Sequence, residues 1–258
     1  MQTDLFERYM RWEWDFPGHF DRKVKNPAHY RDSSFLGAVY SVGTRQVRPL
    51  LPDPSLHPVE IVPGRALAAV SAFEMRDTDI DPYNEFVVVF LVSHGRRPLP
   101  MVHALQHATR GVFDVFVWYI SVNTEIAQYG GRQLFGYPKS LTNISFREDA
   151  KGVGCSVDDD DGRVLSFSGR RIPSRKRQAV RVRTFSQKNG HLLASNMFWE
   201  YLEHGVSFRP SAARLDLNTA HPVGRELASI GLSRNPLMVQ YSPKGRAVVF
   251  LPRNVEDD

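Results

Sequence analysis

The side chain in this sequence best suited to covalent chemistry is the amine of Lys139, in the stretch Gly130-Gly131-Arg132-Gln133-Leu134-Phe135-Gly136-Tyr137-Pro138-Lys139-Ser140-Leu141. A primary amine adds to a ketone carbonyl only when it is unprotonated. An ordinary lysine, with a pKa of about 10.4, is neutral in roughly 1 molecule in 2,500 at pH 7. Nucleophilic lysines are therefore desolvated or set beside another cation. The elements around Lys139 suit a fixed position. Thr124 is a suitable N-cap for a helix running through Glu125, Ile126 and Ala127 towards Leu134. Gly136 supplies the residue that a helix C-terminus favours, and Pro138 biases Tyr137 out of the α region. Lys139 is thus expected at a stiff joint just past a helix end, with Leu134, Phe135, Tyr137 and Leu141 near it in sequence. On these residues alone a surface lysine in a loop is the stronger reading.

Three segments change that balance. The pattern Gly-Arg-Gln-Leu-x-x-Tyr-Pro-Lys-x-Leu over residues 131–141 resembles the active-site segment of the acetoacetate decarboxylase family, whose lysine forms a Schiff base with a ketone substrate. Met75-Arg76-Asp77-Thr78, followed by Tyr83-Asn84-Glu85, is similar to that family's Asp-Thr…Tyr-x-Glu stretch. Arg214-Leu215-Asp216-Leu217 before His221-Pro222 resembles its tail. The segments occur in the family's order and cover most of the chain from about Phe35 onwards.

The resemblance implies a β-rich α+β fold, a large and mostly antiparallel β-barrel or cone with a few peripheral helices. It divides the chain into an N-terminal helix or arm (residues 1–34) and a single domain (residues 35–258). It implies Lys139 as the catalytic nucleophile and Glu85 as the carboxylate that positions substrate or moves protons. Read by itself, Glu85 is equally a solvent-facing residue at a strand start. The same likeness puts Arg132, Gln133, Tyr137 and Tyr83 at the substrate, with Arg132 expected to hold the loop rather than touch substrate; it requires no cofactor and no metal, and suggests a homo-oligomer. The implied function is that of a Schiff-base carbon–carbon lyase acting on a small oxo acid. Alternatives are an aldolase-dehydratase joining pyruvate to an aldehyde, or a decarboxylase of a bulkier β-keto acid. A non-catalytic barrel that binds a small ligand is the rival of another class.

Departures from the family pattern concentrate in the pocket. The second lysine of the family motif is Ser140 here. Its N-terminal arginine falls near Ser33, with Arg31 close by, and a further glutamate falls near Ser71, with Glu74 three residues on. The motif's Arg-Glu has become Arg132-Gln133. With these charges gone, poor acetoacetate decarboxylation is expected.

Composition sets the frame. At 258 residues, 42% apolar and 24% charged, the chain suits one large soluble β-rich domain. The net charge of +5 would suit an anionic small substrate and gives little reason to expect nucleic acid. A single cysteine, Cys155, excludes an intrachain disulfide and multi-cysteine zinc sites. No stretch reaches the ~18 apolar residues of a membrane span, and the mixed charges of residues 1–16 do not resemble a signal peptide. The expected setting is cytoplasmic, with no membrane partner.

Along the chain, residues 3–14 read as an amphipathic helix with Leu5, Tyr9 and Trp12 on one face, and residues 23–34 as a polar loop. Strands are expected at 35–42, 66–76, 85–93 and 112–122, with a short helix after Thr44. Asp77, Asp79 and Asp81 read as a solvated turn, since the glycine and glutamate of an EF-hand are missing. His103 and His107 are four apart, but no carboxylate stands at zinc-hydrolase spacing. Val153, Cys155 and Val157 alternate into the Asp161-Gly162 hairpin, which puts Cys155 in the core. The basic run 170–183 reads as a strand with its charges outward. Residues 190–205 read as a lid or hairpin, and the tail as two strands joined at Pro243-Lys244-Gly245.

Overall fold

The segments Arg65–Thr78 and Tyr83–His94 are apolar on both faces of an extended chain, and each face is buried against a different layer. A computed structural model describes residues 4–150, 152–174 and 176–257. Among these, seven strands close into a barrel. Its order around the wall is Tyr83–His94, Arg65–Thr78, Ala28–Gly43, Met238–Val249, His191–Ser207, Lys176–Lys188 and Val112–Val122, which returns to Tyr83–His94. Neighbours are antiparallel except for the parallel pair of Lys176–Lys188 with Val112–Val122. The expected β-rich barrel is the fold observed.

Strand periodicity divides the core in two. Ala66, Ala68, Val70 and Ala72, with Phe86, Val88, Phe90 and Val92, point outwards and pack beneath a second, four-stranded sheet. That sheet is built from Asn143–Asp149, Gly152–Asp159, Gly162–Gly169 and Ala213–Leu217. Cys155, Val157, Leu165 and Phe167 are its contribution to the shared core. Residues of the other phase, among them Phe73, Met75, Tyr83 and Val87, point into the barrel. Because both faces are covered, these strands read as nearly unbroken apolar runs.

Several local expectations are corrected. Residues 5–7 form one 3-10 turn rather than part of a long helix. Trp12–Asp15 pairs instead with Lys23–Asn26 as a β-hairpin; Thr3 lies outside the described residues. The expected loop at 23–34 is mostly strand, and Ala28–Gly43 runs through the 34/35 boundary without interruption. The tail is one strand, Met238–Val249, whose register shifts absorb the Pro243-Lys244-Gly245 turn. Residues 190–205 form no lid: the Asn189-Gly190 turn, at positive φ in both residues, joins two barrel strands. Asp77, Asp79 and Asp81 are not simply solvated. Asp79 accepts from Arg11, from Arg31 and from the His29 backbone N–H, while Asp81 accepts from Arg22. In the basic run, Arg183 pairs with Asp114 and Arg171 with Glu148; Arg175 lies outside the described residues.

Candidate active site

Lys139 begins the short strand Lys139–Leu141, which adds in parallel to Val112–Val122 with Lys139 opposite Ile120. Glu85 lies on the other side of the same strand, opposite Val122. Ile120 and Val122 are two residues apart and share a face, so both chemical side chains turn into the lumen. Lys139 Nζ donates to Glu85 Oε2 at 2.9 Å and lies 5.4 Å from the Tyr83 ring centroid. Lys139 is 5% exposed, and the expected surface loop is replaced by a buried, paired amine.

The approach to this position explains two glycines inside a helix. Glu125–Phe135 ends at Gly136 in the left-handed conformation, with the Tyr137 N–H returning to the Gly131 carbonyl at 3.0 Å. A Cβ on Gly131 would stand 2.3 Å from Lys139 Cδ, and one on Gly130 would stand 2.9 Å from Phe16 Cζ. The helix therefore carries a bare strip against which the lysine stem and the Phe16 ring lie. Arg132 Nε donates to the Lys139 carbonyl at 2.6 Å and fixes the joint from outside.

Hydroxyl groups surround the pair. Tyr30 and Tyr83 hydroxyls are 3.3 Å apart, and the Tyr137 hydroxyl is 2.6 Å from Thr184 Oγ1. Burial, and then the charge of Glu85 among other neighbours, pushes Tyr30, Tyr83 and Tyr137 well above the ordinary phenol range. All three stay protonated at neutral pH and can donate. Cys155 is elsewhere, in the inter-sheet core, with its thiol pushed up to about 12 by burial, so it is no nucleophile at neutral pH.

A cavity of about 360 Å³ opens from this pair into the barrel. At the Lys139 end it is lined by Tyr30, Phe35, Phe73, Trp199 and Tyr201, and by Trp14 and Phe16 of the N-terminal hairpin. Farther in, the wall is mainly aliphatic, with Phe113 and Gln240 also lining it. A buried amine, an adjacent carboxylate and several protonated hydroxyls at one end of an apolar cavity can bind a carbonyl and exchange protons with it.

The acetoacetate decarboxylase family model matches residues 17–241, which include every one of these groups except Trp14 and Phe16. The chain belongs to the acetoacetate decarboxylase family. Similar folds include a solved acetoacetate decarboxylase (TM-score 0.65, 16% identity, 89% of each chain covered). Another is the acetoacetate decarboxylase of Legionella pneumophila (TM-score 0.61, 11% identity, 96% of this chain and 92% of that one). A third is the enduracididine biosynthesis enzyme MppR, complexed with the condensation product of pyruvate and imidazole 4-carboxaldehyde (TM-score 0.60, 14% identity, 88% of each chain). No curated protein matches the sequence.

Within this acetoacetate decarboxylase-family barrel, the residues singled out from sequence separate into two groups. Lys139, Glu85, Tyr83 and Tyr137 converge on the cavity. Arg132 and Gln133, expected at the substrate, are exposed and outside its wall. With Gly131 facing Lys139, the next two helical positions turn away by about 100° each, and the Gln133 carbonyl accepts from Lys188. Arg31 is also outside, paired with Asp77 and Asp79, and Ser33 Oγ donates to the Gly245 carbonyl. Ser71 does line the cavity. Tyr30, Trp14 and Phe16 were missed; the alternation of Ala28, Tyr30 and the inward residues beyond would have revealed Tyr30 had residues 28–34 been read as strand.

Among the described residues, Asp159, Asp161 and His221 have ligand atoms within 4.8 Å of one another. Both imidazole nitrogens are already engaged: Nδ1 accepts from Val223 N–H at 3.2 Å, and Nε2 lies 2.8 Å from Asp159 Oδ1. The cluster joins the hairpin turn to the start of the helix Pro222–Ser229.

Proposed function

We propose that this protein is a Schiff-base-forming carbon–carbon lyase that acts on an oxo acid through Lys139. The observation that carries the reading is the buried Lys139 amine, 2.9 Å from Glu85, at one end of an apolar cavity. Glu85 takes the proton from the ammonium, and the freed Nζ attacks the ketone carbon. Tyr30 and Tyr83, protonated, donate to the oxygen of the tetrahedral adduct. Loss of water leaves a protonated imine. In decarboxylation, the bond from the α-carbon to the carboxylate breaks, CO2 departs and the electron pair moves to the imine nitrogen, giving an enamine. Glu85, which gives its first proton to the departing water and is reprotonated from solvent, delivers a proton to the enamine carbon, and water hydrolyses the imine to release ketone and free Lys139.

A second reading uses the same enamine. Formed from the pyruvate imine by loss of a methyl proton to Glu85, it attacks an aldehyde carbon; loss of water and hydrolysis of the imine then complete an aldol condensation and free Lys139. Likeness to MppR, solved with pyruvate and with such a condensation product, favours this alternative. A non-catalytic binding barrel is the remaining competitor, and only the enzyme readings require a covalent adduct.

Acetoacetate is expected to be a poor substrate. Among the described residues that line the cavity, the cations are Lys139 and Lys25, so few charges orient a small carboxylate. The test is a side-by-side assay of CO2 release from acetoacetate and condensation of pyruvate with an aromatic aldehyde. Slow CO2 release, with whichever activity is found lost in Lys139→Ala, supports the proposal. Rapid CO2 release lost in the variant restores plain acetoacetate decarboxylation, and activity that survives Lys139→Ala overturns the lysine mechanism.

A further inference from the structure

The cavity extends well beyond what a four-carbon acid fills. Glu85 and Leu91 lie on one strand and both line it. Six residues at ~3.3 Å each put them about 20 Å apart along that strand. The polar groups are unevenly distributed over this length. Lys25, paired with Glu13 at 3.3 Å, and Asn26, both on the second strand of the N-terminal hairpin, border the mouth, and Lys139, Glu85, Tyr30 and Tyr83 come next. Past Ser71 the wall is mainly aliphatic and includes Val39, Leu67, Ala69, Val89, Leu91 and Val115, beside the ring of Phe113. Gln240, at the same end, has its carboxamide oxygen 3.0 Å from His204 Nε2. The far end is bordered by Ala104 and Ala108, one turn apart on a single face of the helix Val102–Arg110. Two alanines at that face leave room that larger side chains would occupy.

We infer that this aliphatic half of the lumen is a subsite for an unbranched apolar tail, and that the substrate is an oxo acid whose carbonyl carries such a tail. The inference rests on the Schiff-base reading for the carbonyl's position and deepens it by naming the substrate class. Polar mouth, amine and apolar tunnel follow one another in the order of carboxylate, carbonyl and tail in such a molecule. An apolar cavity of this kind gains nothing from water, whereas each buried methylene contributes enough to tighten binding about 3- to 4-fold.

Two measurements on the intact protein test it separately from the imine chemistry. First, calorimetric titration with straight-chain 3-hydroxy acids from four to twelve carbons measures tail binding without a carbonyl to form an imine. Kd is expected to fall about 3- to 4-fold per methylene until the tunnel is filled. Equal Kd values for the four- and ten-carbon acids would overturn the subsite. Second, Ala69→Phe and Ala104→Phe place bulk at the middle and end of the tunnel. Each is expected to lower the ten-carbon to four-carbon affinity ratio at least tenfold, the effect beginning at shorter chains for Ala69→Phe. Should Ala69→Phe not fold, Ala104→Phe on the peripheral helix decides the point, and an unchanged ratio there contradicts the proposal. A rising 3-hydroxy acid series with no borohydride-trapped oxo acid leaves the tail subsite standing and removes the Schiff base. Trapping with a flat series does the reverse.

Discussion

The stem of Lys139 lies across Gly131 so closely that a Cβ at Gly131 would stand 2.3 Å from Lys139 Cδ. Alanine is the better helix former by about 1 kcal/mol, so Gly131→Ala carries no penalty in helix propensity. The collision is with a long side chain, which can swing away while the backbone stays. Gly131→Ala is therefore expected to leave the far-ultraviolet circular dichroism and the unfolding midpoint nearly unchanged. The rate of adduct trapping by borohydride should drop by about 100-fold, the scale of loss that accompanies a 1 Å misplacement of a reacting group. Unchanged trapping would show that the glycine does not set the lysine's position.

Glu85 offers the only carboxylate paired with Lys139 among the described ion pairs. Glu85→Gln preserves shape and an accepting oxygen but cannot carry a proton. Loss of proton transfer of this kind costs roughly 10² to 10⁴ in rate. Turnover of the best oxo-acid substrate is expected to fall in that range, while slow trapping at Lys139 persists. A turnover within threefold of the parent would assign Glu85 a packing role only.

His29 links the N-terminal turn to the barrel and should make the fold sensitive to acid. Burial first, then the charge of Arg11, lowers its imidazole to about 4, against the opposing charge of Asp79. Its folded pKa is below the ordinary 6.5, so between those values the unfolded chain binds the proton more readily. The stabilising contribution is complete above pH 6.5 and is lost as pH falls towards 4. Denaturant midpoints measured from pH 7 to 4 should fall less steeply in His29→Phe, which can keep the stack on Phe6 seen at 4.5 Å. Parallel profiles would contradict this.

What the sequence disclosed depended on how local the signals were. The helix before Lys139 announces itself through Thr124, Gly136 and Pro138, which flank one element; its bounds are close to those observed, although the Thr124 hydroxyl makes no capping hydrogen bond. Strand phases at 66–76 and 85–93 were readable because both faces are apolar and the runs are long. The hairpin of Trp12–Asp15 with Lys23–Asn26 was not readable: its aromatics fit a helical face as well as a strand, and its pairing spans the intervening Pro17-Gly18 segment. Pro243 and Gly245 read as a turn because bulges that absorb them arise only from pairing with two neighbours. Glu85 was placed through likeness to a family rather than through its own surroundings. Adjacency in sequence put Gln133 near the substrate, but a helix presents successive residues to different sides, whereas Arg132 does hold the joint through the Lys139 carbonyl.

The central claim is that Lys139 is the nucleophile, and reductive trapping addresses it most directly. The protein is incubated with pyruvate, acetoacetate or a longer 3-oxo acid, sodium borohydride is added, and the digested product is mapped by mass spectrometry. The account requires a reduced adduct of the oxo acid, or of its decarboxylated ketone, on Lys139, absent in Lys139→Ala. An unlabelled Lys139 across the whole series of oxo acids, or a label carried by another lysine, would contradict it.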